Sequence, residues 1–392
     1  MAKYIGLMSG TSMDGVDAVL CDITVDKCQT LHAVSIPYPA NLLSLLHSLC
    51  TPSHNELNAM ATADRLVAYS FAQAVSVLLS ETQLSPSDIT AIGSHGQTIR
   101  HFPQGIELQN DIEQKGFTCQ IGDPNTLAVL TGIDVIADFR RKDIALGGQG
   151  APLVPAYHNA IFAHDTHPRV LVNIGGIANI SVLAPKRNEA PPLGYDTGPG
   201  NTLMDGWIKQ HLNLPYDDKG QWADTGLVSD SLLTKLLCDS YFHQAAPKST
   251  GREYFNLAWL TSHIDALTRP SAIEVASSEA STLSPQDVQA TLLALTATSI
   301  ADEISKHQLP QEAEVIVCGG GAFNPVLMQR ISSLLPQYHV SDSRSINIHP
   351  QHVEGAAFAW LAFAHKNNIP GNVPAVTGAS REAVLGVLCP AN

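Results

Sequence analysis

Apolar and polar positions along the chain follow two rhythms, one of period two and one of helical period, and the two alternate from end to end. Ile5-Gly-Leu-Met8 is an apolar run, Ser9-Gly-Thr-Ser-Met-Asp-Gly15 a stretch of small turn residues, and Val16-Asp-Ala-Val-Leu20 an alternating run. That succession predicts a β-hairpin. Residues 169–183, Arg-Val-Leu-Val-Asn-Ile-Gly-Gly-Ile-Ala-Asn-Ile-Ser-Val-Leu, repeat the plan. Glu314-Val-Ile-Val-Cys318 reads as a buried strand and runs through Gly319, Gly320 and Gly321 into a helix opened by Asn324 and Pro325.

Between these landmarks the pattern predicts a third strand over 30–37, helices over 40–49 and 55–79, and an apolar strand over 90–93. Asp123 is placed to cap a helix running to about residue 131, and 134–138 is another buried strand. Further helices are predicted over 202–209, 229–238, 256–267, 284–307 and 352–363, with a polar, aromatic cover over 216–226 and an irregular tail over 367–392. Strands alternating with helices specify an α/β protein.

Chemistry enters at the loops. In the first hairpin Gly10, Thr11, Ser12, Met13, Asp14, Gly15, Val16 and Asp17 could form a cradle of N–H groups and hydroxyls for anionic oxygens, or an ordinary turn. The strand over 90–93 carries Ser94-His95-Gly96-Gln97-Thr98 to its carboxyl end, where ligands bind in open α/β sheets. His95 could donate to a substrate oxygen or tie the loop down. Asp196 stands ahead of a glycine-rich turn into a helix, as a cap or as a reacting carboxylate. Glu354, in the first turn of the late helix, suits the helix dipole or a place beside a ligand. The charges of 248–255 could meet phosphates or water.

Composition narrows the class. A chain of 392 residues exceeds the size of one growing core, so two domains are expected, with a crossing near 138–145. The net charge of −14 argues against nucleic-acid and anionic-membrane partners. Seven cysteines without a Cys-x-x-Cys pair suggest reduced thiols rather than a disulfide framework. The first residues enter a strand without a basic and apolar leader, and no apolar run approaches bilayer-spanning length, so a cytoplasmic protein is expected. The fingerprints of P-loop NTPases, dinucleotide-binding proteins, zincins and esterases are absent.

Two hairpins followed by a glycine-rich strand-to-helix turn resemble the sugar kinase, Hsp70 and actin superfamily. Leu7-Met-Ser-Gly-Thr-Ser-Met-Asp-Gly-Val-Asp17, Ser94-His-Gly-Gln-Thr98, Gly147-Gly-Gln-Gly-Ala-Pro152 and Asp196-Thr-Gly-Pro-Gly-Asn201 narrow this to a resemblance to the anhydro-N-acetylmuramic acid kinase family. The resemblance implies two RNase H-like α/β domains, residues 1–138 and 139–392, with an interdomain ATP cleft as in actin-like ATPases. It implies ATP held by residues 10–17, by Asn173, Gly175 and Gly176, and by Gly319, Gly320, Gly321 and Asn324. It makes Asp196 the general base and places the sugar against His95, Thr98, Arg140 and Glu354. Arg140 lies in the basic stretch 139–143 and is either part of a solvated hinge or the cation for a lactyl carboxylate, to which an Arg fork is suited.

Met8 and Asn173 stand where most of the superfamily carries acidic residues near the metal, leaving Asp14 and Asp17, with Asp196, as carboxylates for Mg²⁺. The implied reaction uses ATP and Mg²⁺ to open 1,6-anhydro-N-acetylmuramic acid with water and phosphorylate O6, in cell-wall recycling and amino sugar catabolism. The implied partner is this small sugar, and oligomeric state, a homodimer included, stays open. The rival readings are a kinase of another sugar that performs no hydrolysis and a nucleotide-driven interaction protein like Hsp70 or actin.

Overall fold

The computed structural model describes residues 2–10, 13, 15–106, 114–188, 190–268 and 283–392. Thr11, Ser12 and Asp14 of the first glycine loop lie outside the described residues. Packing divides the chain into two compact units, Met1–Phe162 with Asn347–Asn392, and Ala163–Ile346. The crossing expected over 138–145 therefore falls inside the first unit, whose share of the chain also includes the last 46 residues, 347–392.

The first unit opens with the expected hairpin, β1 (Ala2–Met8) and β2 (Gly15–Ile23), paired antiparallel so that Met8 faces Asp17 across the mouth of the turn. β3 (Cys28–Pro37) continues the meander. Helices α1 (Ala40–Leu49) and α2 (Glu56–Thr82) follow, the latter burying Val67, Phe71, Val75 and Leu78 on one helical stripe. β4 (Ala91–Ser94) runs parallel to β1, and β5 (Gln97–Phe102) pairs with β6 (Phe117–Ile121) in a separate ribbon. In α3 (Pro124–Thr131) the Asp123 carboxylate accepts the N–H groups of Asn125 and Thr126, so the expected cap is present. β7 (Val135–Ala137), the short α4 (Arg141–Ala145) and α5 (Val154–Phe162) complete this part.

The second unit repeats the plan. β8 (Arg169–Ile174) and β9 (Ile177–Leu183) form the second hairpin, and β10 (Leu193–Pro199) pairs with β9 across a bulge at Asp196 and Gly198. α6 (Thr202–Leu212), α7 (Asp230–Leu237), α8 (Leu257–Thr268) and α9 (Pro285–Lys306) follow, α9 being opened by a reciprocal Ser284–Asp287 capping box with Pro285 at its first turn. β11 (Glu314–Cys318) runs parallel to β8, and α10 (Pro325–Leu334) starts where the Asn324 side chain accepts the Leu327 N–H, before β12 (His339–Asp342).

The chain then returns to the first unit with α11 (Val353–Lys366), α12 (Pro374–Thr377) and β13 (Val387–Cys389). The sheets are ordered β13-β7-β4-β1-β2-β3 and β10-β9-β8-β11-β12. Each thus has an antiparallel meander on one side of its first strand and two parallel strands on the other, the first sheet being extended beyond them by the antiparallel β13. This is the RNase H-like arrangement, present once in each unit, and such a pair is the actin-like ATPase class of fold.

α11 explains its own alanines. It lies so close on the sheet that a Cβ at Gly6 would sit 1.8 Å from the Gly355 carbonyl oxygen, and one at Gly93 2.0 Å from that of Phe358. Only small residues permit that approach.

Several elements were not anticipated. The run 193–199, with its glycines and proline, is assigned no strand by its sequence; it forms an edge strand, where missing side chains and a missing donor are tolerated and a bulge absorbs the irregularity. Residues 145–155 are glycine- and proline-rich and would pass for a loop, yet α5 begins at Val154, and its Pro155 sits in the first turn where no N–H is needed. The tail, irregular over most of its length, contributes β13 antiparallel to β7.

Candidate active site

In the first unit Ser9, at the end of β1, ties the glycine loop to Gln97. Its hydroxyl lies 2.6 Å from Gln97 Oε1 and 2.7 Å from the Gly15 carbonyl oxygen, while Gln97 Nε2 donates to the Gly10 carbonyl at 3.2 Å. Gln97 is fully buried. Met13 adopts a left-handed backbone, φ 59°, and closes the turn through its N–H to Gly10. Gly15 and Val16 start β2, and Asp17 accepts from Ser35 Oγ at 2.5 Å.

His95 and Arg140 come together beside this loop. Arg140 Nη2 and Nε lie 2.9 and 3.2 Å from His95 Nε2, and Nη1 donates to the Gly150 carbonyl at 2.8 Å. A guanidinium has no acceptor, so Nε2 must be the unprotonated nitrogen and Nδ1–H donates to the Ser9 carbonyl at 3.2 Å. Burial and the adjacent guanidinium push the His95 pKa down to about 3, so it is neutral at physiological pH. Burial also lowers Arg140, to about 10, against the opposing charges of Glu354 and Asp143. Arg140 therefore stays cationic. The fork is aimed by its surroundings: buried Asp143 accepts from Gly150 N–H, Asn372 and Thr377, locking the 147–150 loop to the tail. Thr98 lies on β5, where its hydroxyl accepts from Gln120 Nε2 at 3.1 Å. Glu354 is in the first turn of α11.

In the second unit the hairpin turn, the start of α6 and the late glycines converge. Gly200 and Thr202 N–H groups donate to the Gly176 carbonyl, Asn201 N–H to that of Gly175, and Asn201 Nδ2 to that of Ile174. Gly319 has φ 79°, and a Cβ there would lie 2.5 Å from Asn173 Oδ1, so these two residues touch. Gly321 is similarly pressed against Ile174. Gly175 and Gly320 differ: a Cβ would meet nothing nearer than 3.7 and 3.5 Å. The protein's own packing does not require glycine at either place. Asn324 uses its side-chain oxygen to cap α10.

Asp196 leaves β10 at the bulge. Its Oδ2 accepts from Ser249 Oγ and Thr250 N–H, both at 3.0 Å, its own N–H donates to the Lys248 carbonyl, and its carbonyl accepts from Tyr241 OH. Burial raises its pKa, outweighing the two donors. Two residues not singled out in the sequence stand near the same turn. The Arg252 guanidinium lies 2.9 Å from the place a Gly176 Cβ would take, and Asp205, in the first turn of α6, feels its charge. Burial pushes Asp205 up to about 7. The signals were a carboxylate one turn into a helix behind Gly-Pro-Gly-Asn, and an arginine in the charged run 248–255.

The Asp205 shift has a testable sign. A raised folded pKa favours folding when the group is protonated, and that advantage is lost as pH rises from about 4 to about 7. Asp205→Asn should therefore raise Tm at pH 8, by about 2 °C or more, and change it little at pH 4. Thermal melts at the two pH values check this; an equal shift at both would remove the carboxylate's charge as the cause.

A family model described as anhydro-N-acetylmuramic acid kinase matches residues 2–391. The chain belongs to the anhydro-N-acetylmuramic acid kinase family. It is 54% identical over 385 residues to the anhydro-N-acetylmuramic acid kinase of a Shewanella sp. (strain MR-4), with 98% of each chain covered. It is equally 54% identical over 389 residues to that of Shewanella loihica, with 99% of each covered. Among solved structures it is similar to an activator of 2-hydroxyisocaproyl-CoA dehydratase from Clostridium difficile with bound ADPNP, at 11% identity and a TM-score of 0.44, over 93% of this chain and 96% of that one. As a member of this kinase family the chain is a phosphotransferase. No helix among its described residues is long and apolar enough to cross a membrane.

Proposed function

We propose that this kinase uses ATP to convert 1,6-anhydro-N-acetylmuramic acid into N-acetylmuramic acid 6-phosphate, opening the internal glycosidic bond with water. The observation that carries the reading is the Asp196 carboxylate, partly buried, oriented by two donors and raised in pKa, as a general base requires. Asp196 takes the proton from a water attacking C1, as in inverting glycoside hydrolysis, and O6 freed from the bridge becomes the phosphoryl acceptor. The backbone around Gly10–Gly15, Gly175–Gly176 and Gly319–Gly321 holds the nucleotide, since phosphoryl transfer depends on positioning and on donors directed at developing charge. Magnesium, when bound with ATP, neutralises charge on the transferred phosphoryl group. Asp17, which stands in register with Met8 at the hairpin mouth, would be the residue whose carboxylate holds it.

On the sugar side, Arg140 meets the lactyl carboxylate. His95 and the Gly150 carbonyl occupy part of its donor set and fix its plane, leaving N–H groups for a carboxylate, and Glu354 and Thr98 complete the sugar contacts. The product's chemistry suits cell-wall recycling in the cytoplasm.

ADP release measured over a panel of anhydro-sugars and free sugars tests the reading. Release is expected with the anhydro-muramic sugar; release independent of every sugar would refute it, and equal turnover of free hydroxyl sugars would favour a simple kinase. On the same panel Arg140→Ala should cost about 10- to 150-fold in kcat/KM on the muramic substrate, the worth of one charged hydrogen bond. An anhydro-sugar without the lactyl group should be nearly unaffected. Equal losses on both would assign Arg140 to architecture.

A further inference from the structure

Behind Asp196 lies a buried ion pair that the proposed chemistry does not use. Lys248 Nζ is 2.6 Å from Glu303 Oε1, and the two side chains are only 1% and 5% exposed. Desolvating such a pair is costly, and apolar replacements are often as stable, so its retention calls for a positional reason. The connections supply one. Glu303 Oε2 accepts from Tyr195 OH at 3.2 Å, and Tyr195 is the residue preceding Asp196 on β10. Lys248 presents its carbonyl to the Asp196 N–H at 3.0 Å and leads directly into Ser249 and Thr250, the two donors to the carboxylate. Its ammonium also donates to the Tyr241 carbonyl and stands 4.8 Å from that ring's centroid, and Tyr241 OH donates to the Asp196 carbonyl. Both the strand that carries Asp196 and the segment that caps it therefore hang from one carboxylate on α9.

We propose that Glu303, acting through Lys248 and Tyr195, is a positioning residue that fixes the orientation of the Asp196 carboxylate. The proposal rests on the reading of Asp196 as the general base. Releasing the tether lets the 248–250 segment drift and loosens the two donors that hold the carboxylate, so the base turns away from the water it must deprotonate. Other titratable groups stand around the tether. Glu253 and Tyr241 face Asp196, while Lys306, His307 and Asp302 surround the Glu303–Tyr195 end.

The test compares Lys248→Met/Glu303→Gln, which leaves no half-pair buried, with Lys248→Arg and with Asp196→Asn. In the folded double variant kcat should fall about 10- to 100-fold, as a displaced reacting group does, with KM for ATP within about 3-fold. Lys248→Arg, which keeps a cation against Glu303, should retain most of the wild-type rate. Wild-type kcat in the double variant, with Asp196→Asn inactive, would overturn the tether and leave the base reading intact. An active Asp196→Asn would overturn the base reading and the tether with it. If the double variant does not fold, Glu303→Gln alone, which preserves shape, decides: a kcat within about 2-fold of wild type overturns the proposal.

Discussion

Asp196→Asn should abolish ADP formation and opening of the anhydro ring together, while ATP still binds. The amide keeps the shape of the carboxylate and can accept from Ser249 and Thr250 as Asp196 does, so geometry survives and only the base is lost. Removal of a positioned general base costs on the order of 10²- to 10⁴-fold by itself. The loss should be greater here because the acceptor oxygen does not exist until the bridge is cut. The fold should not suffer. The folded pKa of Asp196 is raised by burial, so the ionised form opposes folding once the pH exceeds the ordinary carboxylate range, and an uncharged amide relieves that penalty. Melting should thus occur at the wild-type temperature or above at pH 8. In ¹⁸O-labelled water, wild-type product read before anomeric exchange should carry label at the C1 hydroxyl and none in the phosphate ester. Label in the ester, or near-full turnover by the amide variant, would overturn the mechanism.

The sequence made the hairpins legible because a two-residue rhythm, a cluster of glycines and a return of the rhythm leave few alternatives, and β1–β2 and β8–β9 form as expected. Helix starts were equally readable wherever a cap and a proline coincide, at Asp123, Ser284 and Asn324. What could not be read is long-range. β10 depends on β9 for its partner, and no local pattern distinguishes its Gly-Tyr-Asp-Thr-Gly from a turn. β13 is a strand only because β7, some 250 residues earlier in the chain, offers an open edge. The His95–Arg140 contact and the Glu303 tether have the same character, since a histidine's tautomer and a lysine's burial are set by residues 45 and 55 positions away. The residue types of a site can be recognised locally, but the groups that aim them arrive by folding.

Gly175→Val and Gly320→Val should each weaken ATP binding by roughly 100-fold or more while leaving the melting temperature within a few degrees. Neighbouring glycines differ in why they are there. Gly319 and Gly321 are required by the protein itself, one by a left-handed φ of 79° and both because a Cβ would collide with Asn173 or Ile174. Gly175 and Gly320 are free of that demand: the nearest atoms to an added Cβ are the Ile177 carbonyl oxygen at 3.7 Å and Asn201 Nδ2 at 3.5 Å, ordinary contact distances. A glycine carries a conformational-entropy cost without stabilising anything in return, so its presence where a side chain would fit is what space kept for a ligand would require. If that ligand is the nucleotide, a valine side chain displaces phosphate or adenosine from backbone donors. Losing two charged hydrogen bonds of about 1.5 to 3 kcal/mol each yields the stated magnitude. Calorimetric titration with ATP, beside thermal melts, is the measurement. The corresponding Gly321→Val is the contrast and should unfold or strongly destabilise the second unit before binding can be measured. Unchanged ATP affinity in well-folded Gly175→Val and Gly320→Val would remove both turns from the nucleotide site.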